Sequence, residues 1–132
     1  WKLKQMDVKS AFTQVPVDEG EPIFIRPLKG LENKDDPNKV IQLVNHLYGH
    51  PLAKAAWARR WREIMLEFGF EIVDRDECIF RFKSAEGEMV VATVVDDSVC
   101  AFDCDELFER FVRFVKSRLP IMENPVTVTE LT

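Results

Sequence analysis

Short apolar runs of strand character alternate along this chain with two longer stretches of helical periodicity. Trp1 to Val8 reads as a first strand, with Asp7 near its C-terminal edge. Val15 to Gly20 is a loop. Pro22 to Arg26 alternates as a short strand stopped by Pro27, and Val40 to Val44 is another strand candidate. Between them, Lys29 to Lys39 is polar and holds Gly30, Asn33, Asp35, Asp36 and Pro37, which predicts a surface loop. From about Leu52 to Phe68 the large apolar residues Trp57, Trp61, Ile64, Met65 and Phe68 share one helical face, and Gly69 supplies the stop. Phe70 to Val73 is a short extended segment, and Asp74 to Glu77 is a turn. Ile79 to Lys83 and Met89 to Val95 read as strands around a hairpin loop from Ser84 to Glu88.

A second helix is predicted from Asp105 to Leu119. Asp103 or Asp105 is its expected cap, Glu106 lies in the first turn, and Lys116 and Arg118 lie near the last, complementing the helix dipole. Pro120 ends it. Pro125 to Thr129 can form a final strand. This order predicts an α+β fold on a split β-α-β plan, with two helices on one face of a mainly antiparallel sheet.

One stretch breaks the pattern. Asp96 and Asp97 sit between Val94-Val95 and Ser98-Val99-Cys100, inside a β-branched run where unneutralised charge is costly. A tight hairpin with Asp96-Asp97 at its tip resolves the conflict, and an Asp pair at a turn needs no function to explain it. The predicted sheet, however, can lay the first strand beside this hairpin, so that Asp7 meets Asp96. Converging carboxylates repel unless a cation joins them. Hard oxygen donors suit Mg²⁺ or Mn²⁺, and two such ions can clamp an in-line displacement at phosphorus.

Composition narrows the classes. The 132 residues, 46% hydrophobic and 31% charged, suffice for one domain with a core. No apolar run is long enough to span a bilayer, so no membrane partner is expected. Three cysteines without a CxxC spacing point to a reducing, intracellular setting, and with only two histidines they argue against a zinc site. A net charge of −5 argues against nucleic-acid binding by bulk attraction, but leaves open a local basic groove or an acidic site that needs divalent metal. Lys54, Arg59, Arg60 and Arg62 lie off the apolar stripe of the first helix. They form either a solvated face, offset by Glu63 and Glu67, or a phosphate-contacting one. The start at Trp1 without Met suggests a piece of a longer polypeptide.

Four motifs in order resemble a known family. Met6-Asp7-Val8-Lys9-Ser10-Ala11-Phe12 is similar to the first catalytic motif of reverse transcriptases from Ty1/copia-type LTR retrotransposons. Leu47-Tyr48-Gly49, with Ala53 and Trp57 following, resembles that family's LYGLKQAPRAW. Glu77-Cys78-Ile79-Phe80 resembles its DPSLF, and Val95-Asp96-Asp97 its YVDD. The resemblance covers nearly the whole chain. There are departures: Val94 stands where the family has Tyr, Lys54, Leu52 and Ala55 replace its Pro, Gln and Arg, and FLNGEL is here Phe12-Thr13-Gln14-Val15-Pro16-Val17.

The resemblance implies an RNA-directed DNA polymerase within a retrotransposon polyprotein. Residues 1–132 would form a ferredoxin-like palm with partial fingers, the insertion at about 13–47 being fingers-like, and thumb and RNase H lying elsewhere. It implies two Mg²⁺ or Mn²⁺ ions held by Asp7, Asp96 and the Val8 carbonyl, with Asp97 as the accessory carboxylate. Phe12 would lie under the deoxyribose and reject ribonucleotides. Ser10 and Ala11 would offer backbone N–H groups to the triphosphate, and Tyr48 and Gly49 would lie against the incoming nucleotide. Lys54 and Arg59 are weaker candidates for the template or primer backbone. Implied partners are an RNA or DNA template, a DNA primer, dNTPs, and the rest of the polyprotein (thumb, RNase H, integrase). The implied compartment is a cytoplasmic particle, with the nucleus as a second. The competing expectation is a catalytically inactive remnant serving as a binding or structural module.

Overall fold

A computed structural model describes residues 1–131. The chain opens with strand β1 (Lys2–Val8), a 3₁₀ turn at Phe12–Gln14, and two short strands, β2 (Phe24–Ile25) and β3 (Ile41–Gln42). Helix α1 (Ala53–Phe68) follows. Then come β4 (Glu71–Ile72), β5 (Ile79–Lys83), β6 (Glu88–Val94) and β7 (Asp97–Phe102), helix α2 (Asp105–Arg118), and β8 (Val126–Glu130). The architecture is α+β. Six strands form one sheet in the order β4-β5-β6-β7-β1-β8, and every neighbouring pair is antiparallel. β2 and β3 pair separately, inside the 13–47 stretch.

Strand alternation decides which sheet face is covered. Met6 and Val8 of β1, Met89 and Val91 of β6, and Cys100 and Phe102 of β7 are buried. So are Trp57, Trp61, Ile64 and Met65 of α1, and Leu107, Phe108, Phe111 and Val115 of α2. All belong to one hydrophobic cluster, so both helices cover the same face. The other face carries exposed Leu3, Val94 and Val99, with Asp7 and Asp97 among them. At the far end of the core from those carboxylates, Phe68, Phe70, Phe82 and Phe111 pack ring to ring, with centroids 5.1–5.7 Å apart.

Two local expectations are corrected. Pro22–Arg26 shortens to Phe24–Ile25 and Val40–Val44 to Ile41–Gln42, because only Phe24 with Gln42 and Ile25 with Ile41 pair, and Pro22 and Pro27 lack the N–H that would extend the ladder. Neither Asp103 nor Asp105 caps α2. Cys104 holds that position without a side-chain bond. The two carboxylates serve tertiary contacts instead. Asp103 Oδ1 accepts the Glu88 N–H at 2.8 Å, and Asp105 pairs with Lys2 of β1. Helix α1 starts at Ala53 with Leu52 as its cap, close to the expected Leu52.

Gly69 ends α1 as expected, in the left-handed region at φ 117°, and its N–H bonds the Met65 and Leu66 carbonyls. A Cβ there would also stand 3.2 Å from the Phe82 ring. Gly69→Ala is therefore expected to cost about 1 kcal/mol or more, read as a lower denaturant midpoint with an unchanged slope.

Candidate active site

The β6–β7 hairpin turns through Val95 and Asp96, with Val94 paired to Asp97. This corrects the expected Asp96-Asp97 tip by one residue. Asp97 stays in β7 because its ladder with β1 runs on until Asp97 stands opposite Asp7. It can do so because it points away from the core: its neighbour Ser98 is 3% exposed, and successive side chains alternate. Asp7 points the same way, between buried Met6 and Val8. The cost of the turn falls on Val95, a β-branched residue at φ 58°.

The sheet thus brings all three carboxylates to one end of the β1/β7 pair. Their mutual influence falls on Asp7. Burial raises its pKa first, the Asp96 and Asp97 carboxylates raise it further, and Lys9 opposes them. Asp97 is held by Gln5, whose Nε2 donates to both carboxylate oxygens at 2.9 and 3.0 Å. The Val8 N–H donates to the Asp96 carbonyl at 2.9 Å, tying the tip to β1.

The residues named from the second motif also arrive here. Phe12 and Tyr48 lie ring against ring, with centroids 4.5 Å apart and planes at 41°. Partial burial raises the Tyr48 pKa, followed by the negative charge of Asp96. A hydrogen bond from the Ala11 backbone opposes this, and Asp7 adds a smaller upward push. Tyr48 therefore sits within electrostatic reach of the carboxylates. Ser10 occupies the left-handed region at φ 51° and accepts the Thr13 hydroxyl at 2.8 Å, so the chain turns sharply after β1. Gly49 takes φ 88° beside Tyr48.

Lys54 and Arg59 do not join this group. They are exposed on α1 and line a cavity of about 310 Å³ on the helix side of the hairpin. Arg60 and Arg62, by contrast, pair with Glu63 and Glu77, each at 3.4 Å. Sequence reasoning missed Gln5 and Lys9. Gln5 had a usable signal, since it lies two residues from Asp7 and so shares its sheet face. It also took Trp57 and Trp61 for packing residues first, with base stacking a distant second. Both are buried, and both indoles also donate: Trp57 Nε1 to the Val95 carbonyl at 2.6 Å, and Trp61 Nε1 to Thr93 Oγ1 at 3.1 Å.

The donors suit a hard divalent cation in kind: three carboxylates, with the raised Asp7 pKa recording their repulsion. Among the described residues, however, no three His, Cys, Asp or Glu side chains are drawn together as a ready ligand set. Repulsion among the carboxylates is a sufficient reason for that open arrangement. Elsewhere, Cys100 is buried with its thiol pushed up to about 12, which leaves it inert, and no described helix is long and apolar enough to cross a membrane.

Comparison with known proteins identifies the family of this chain. Residues 1–123 match the family model described as reverse transcriptase (RNA-dependent DNA polymerase). The chain is 30% identical over 97 residues to the retrovirus-related Pol polyprotein from transposon RE1 of Arabidopsis thaliana, a match covering 74% of this chain and 6% of that protein. It is 26% identical over 105 residues to the putative transposon Ty5-1 protein of Saccharomyces cerevisiae, covering 80% of this chain and 33% of that protein. Against the Pol polyprotein from transposon RE2 of Arabidopsis thaliana it is 24% identical over 124 residues, covering 94% of this chain and 8% of that protein. It therefore spans a third or less of each relative. On this match and these relatives, the chain belongs to the reverse transcriptase (RNA-dependent DNA polymerase) family, of the Ty1/copia retrotransposon type.

Proposed function

We propose that this chain is the palm, with part of the fingers, of a reverse transcriptase that extends a DNA primer on an RNA or DNA template. The observation that carries the reading is the β1/β7 register, which sets Asp7 against Asp97 beside Asp96 at the hairpin tip. Asp7 and Asp96, with the Val8 carbonyl, would hold two Mg²⁺ or Mn²⁺ ions, and Asp97 would act as the accessory carboxylate. When bound, the metal lowers the pKa of the primer 3′-hydroxyl and neutralises charge on the leaving pyrophosphate.

The chain's own residues would set the stage for that transfer. Gln5 fixes Asp97, leaving Asp7 and Asp96 as the freer carboxylates. The Phe12 ring, backed by Tyr48, would lie under the deoxyribose as a flat apolar wall and exclude a 2′-hydroxyl. Ser10 and Ala11, at the sharp turn after β1, would offer their N–H groups to the triphosphate. Gly49 would lie against the incoming nucleotide. Lys54 and Arg59, without ion-pair partners among the described residues, would follow the template or primer backbone. The relatives are named as Pol polyproteins, which supports association with the remaining polyprotein segments, including thumb, RNase H and integrase, inside the cell.

A non-catalytic remnant is the second reading, and Val94 favours it. This residue is 76% exposed on the carboxylate face, where the family's Tyr would present a ring toward the primer end. Mn²⁺ titration followed by electron paramagnetic resonance separates the two readings. Saturable binding that weakens at least tenfold in Asp96→Ala, with Mn²⁺-supported addition of one dNTP to a primer, supports the polymerase. Affinity indifferent to that substitution ends the site assignment.

A further inference from the structure

We propose that Trp57 is a positioning residue, whose indole N–H holds the hairpin tip in its left-handed conformation and thereby aims the Asp96 carboxylate. This rests on the reading of Asp96 as a metal ligand, but the contact itself stands apart from that reading.

The turn has two residues, and the carbonyls of both are held from outside the hairpin. The Val95 carbonyl takes the Trp57 Nε1–H at 2.6 Å from α1. The Asp96 carbonyl takes the Val8 N–H at 2.9 Å from β1. Val95 cannot keep a positive φ on its own account. The conformation is costly for a β-branched residue and persists only where the surroundings impose it. Packing on the helix side is incomplete: Val95 touches the core cluster, yet a cavity of about 310 Å³ also lies against it there, bounded by Trp57, Trp61 and Cys78. A tip freed from Trp57 would have space to relax into, and Asp96, the next residue, would move with it.

The hairpin arms are anchored by the same helix. Trp61 stacks on Trp57, with ring centroids 5.7 Å apart, and donates to Thr93 Oγ1, which in turn bonds Ser98 Oγ at 2.9 Å across the β6/β7 pair. That network is buried and joins strand to strand, so it fixes the hairpin stem. Trp57 alone reaches the turn from α1. The aromatic pair thus divides the work between stem and tip, one helical turn apart.

Nuclear magnetic resonance on the whole chain tests the assignment without requiring activity. Trp57→Phe removes the N–H and keeps an aromatic ring. Incorporating benzothienylalanine at position 57 removes the N–H and keeps the bicycle, so a packing defect in the first variant is recognised by its absence in the second. In both, the three-bond amide-to-Hα coupling of Val95 is expected to move to an ordinary negative-φ value, with line broadening confined to Val95–Asp97. Mn²⁺ affinity is expected to fall about tenfold. Val95→Gly, which has no objection to positive φ, should restore the Mn²⁺ affinity and sharpen the Asp96 and Asp97 lines in the Trp57→Phe background. A Val95 coupling unchanged in the benzothienylalanine protein overturns the proposal, whether or not Mn²⁺ binds. A shifted coupling in a wild-type protein that binds no Mn²⁺ would leave Trp57 as the holder of the tip and overturn the metal-site reading instead.

Discussion

Asp7→Asn is expected to strengthen the fold at neutral pH while removing divalent-metal binding and at least a hundredfold of any nucleotidyl transfer. The loss follows from taking a charged ligand away from ions whose charge stabilisation is worth several kcal/mol. The gain follows from the cross-strand register. Like charges placed directly opposite one another destabilise a sheet pair, and a cross-strand pair is worth about 0.2–1 kcal/mol. The sign with pH can be worked out. Burial first, and then Asp96 and Asp97, raise the Asp7 pKa in the folded state above its unfolded value. The folded protein therefore binds this proton more tightly than the unfolded chain does. Stability from the protonated group is fully present below the unfolded value, roughly 3.9, and is lost as pH rises through the raised folded value. The stability difference between Asp7→Asn and wild type should accordingly be largest at neutral pH and should vanish below about pH 4. Chemical denaturation across that range measures it. A variant less stable than wild type at pH 7 would mean that the three carboxylates do not oppose one another.

Phe111→Ala carries the largest expected loss of stability. Phe111 is fully buried on α2 and lies edge-on to Phe68 at 5.2 Å and Phe70 at 5.1 Å, so it is the ring through which the helices meet around the end of α1. Truncating such a phenylalanine costs roughly 3–5 kcal/mol, the transfer free energy of the ring plus the cavity it leaves. Whole domains are stable by only about 5–15 kcal/mol, so a large part of the folded population is at stake. The melting temperature should fall by roughly 10 °C or more, with Trp57 and Trp61 fluorescence as the probe. A drop of only a few degrees would show that the neighbouring rings collapse into the space.

The parts legible from the sequence were those fixed by local periodicity or by a single residue's conformational preference. The α1 stripe from Trp57 to Phe68, its stop at Gly69, and the bounds of β5 at Ile79 and Lys83 were read directly. The meeting of Asp7 with the Asp pair was legible because an antiparallel plan with the first strand inside the sheet leaves little alternative. What could not be read depended on tertiary partners. The ladder to β1 keeps Asp97 in β7, and no pattern inside the hairpin announces that. Asp103 and Asp105 looked like caps because a short carboxylate before a helix is a cap by default. Their commitments to Glu88 and Lys2 come from strands distant in sequence. The donor roles of Trp57 and Trp61 were hidden for a related reason: periodicity marks a tryptophan as apolar and says nothing about where its N–H points.

β1 is made first yet lies between β7 and β8, with Lys2 facing Phe102 on one side and Lys4 facing Glu130 on the other. Its partners thus lie far along the chain from it. Until they emerge, Asp7 is carried on an unpaired strand, and closing the sheet must overcome the entropy of two very long loops. Pairings of that span make for slow folding. The carboxylates consequently cannot assemble before β7 has been made. Translation as far as β7 acts as a timer on the site, and a chain halted before β8 would present β1 as an open edge for other strands to join.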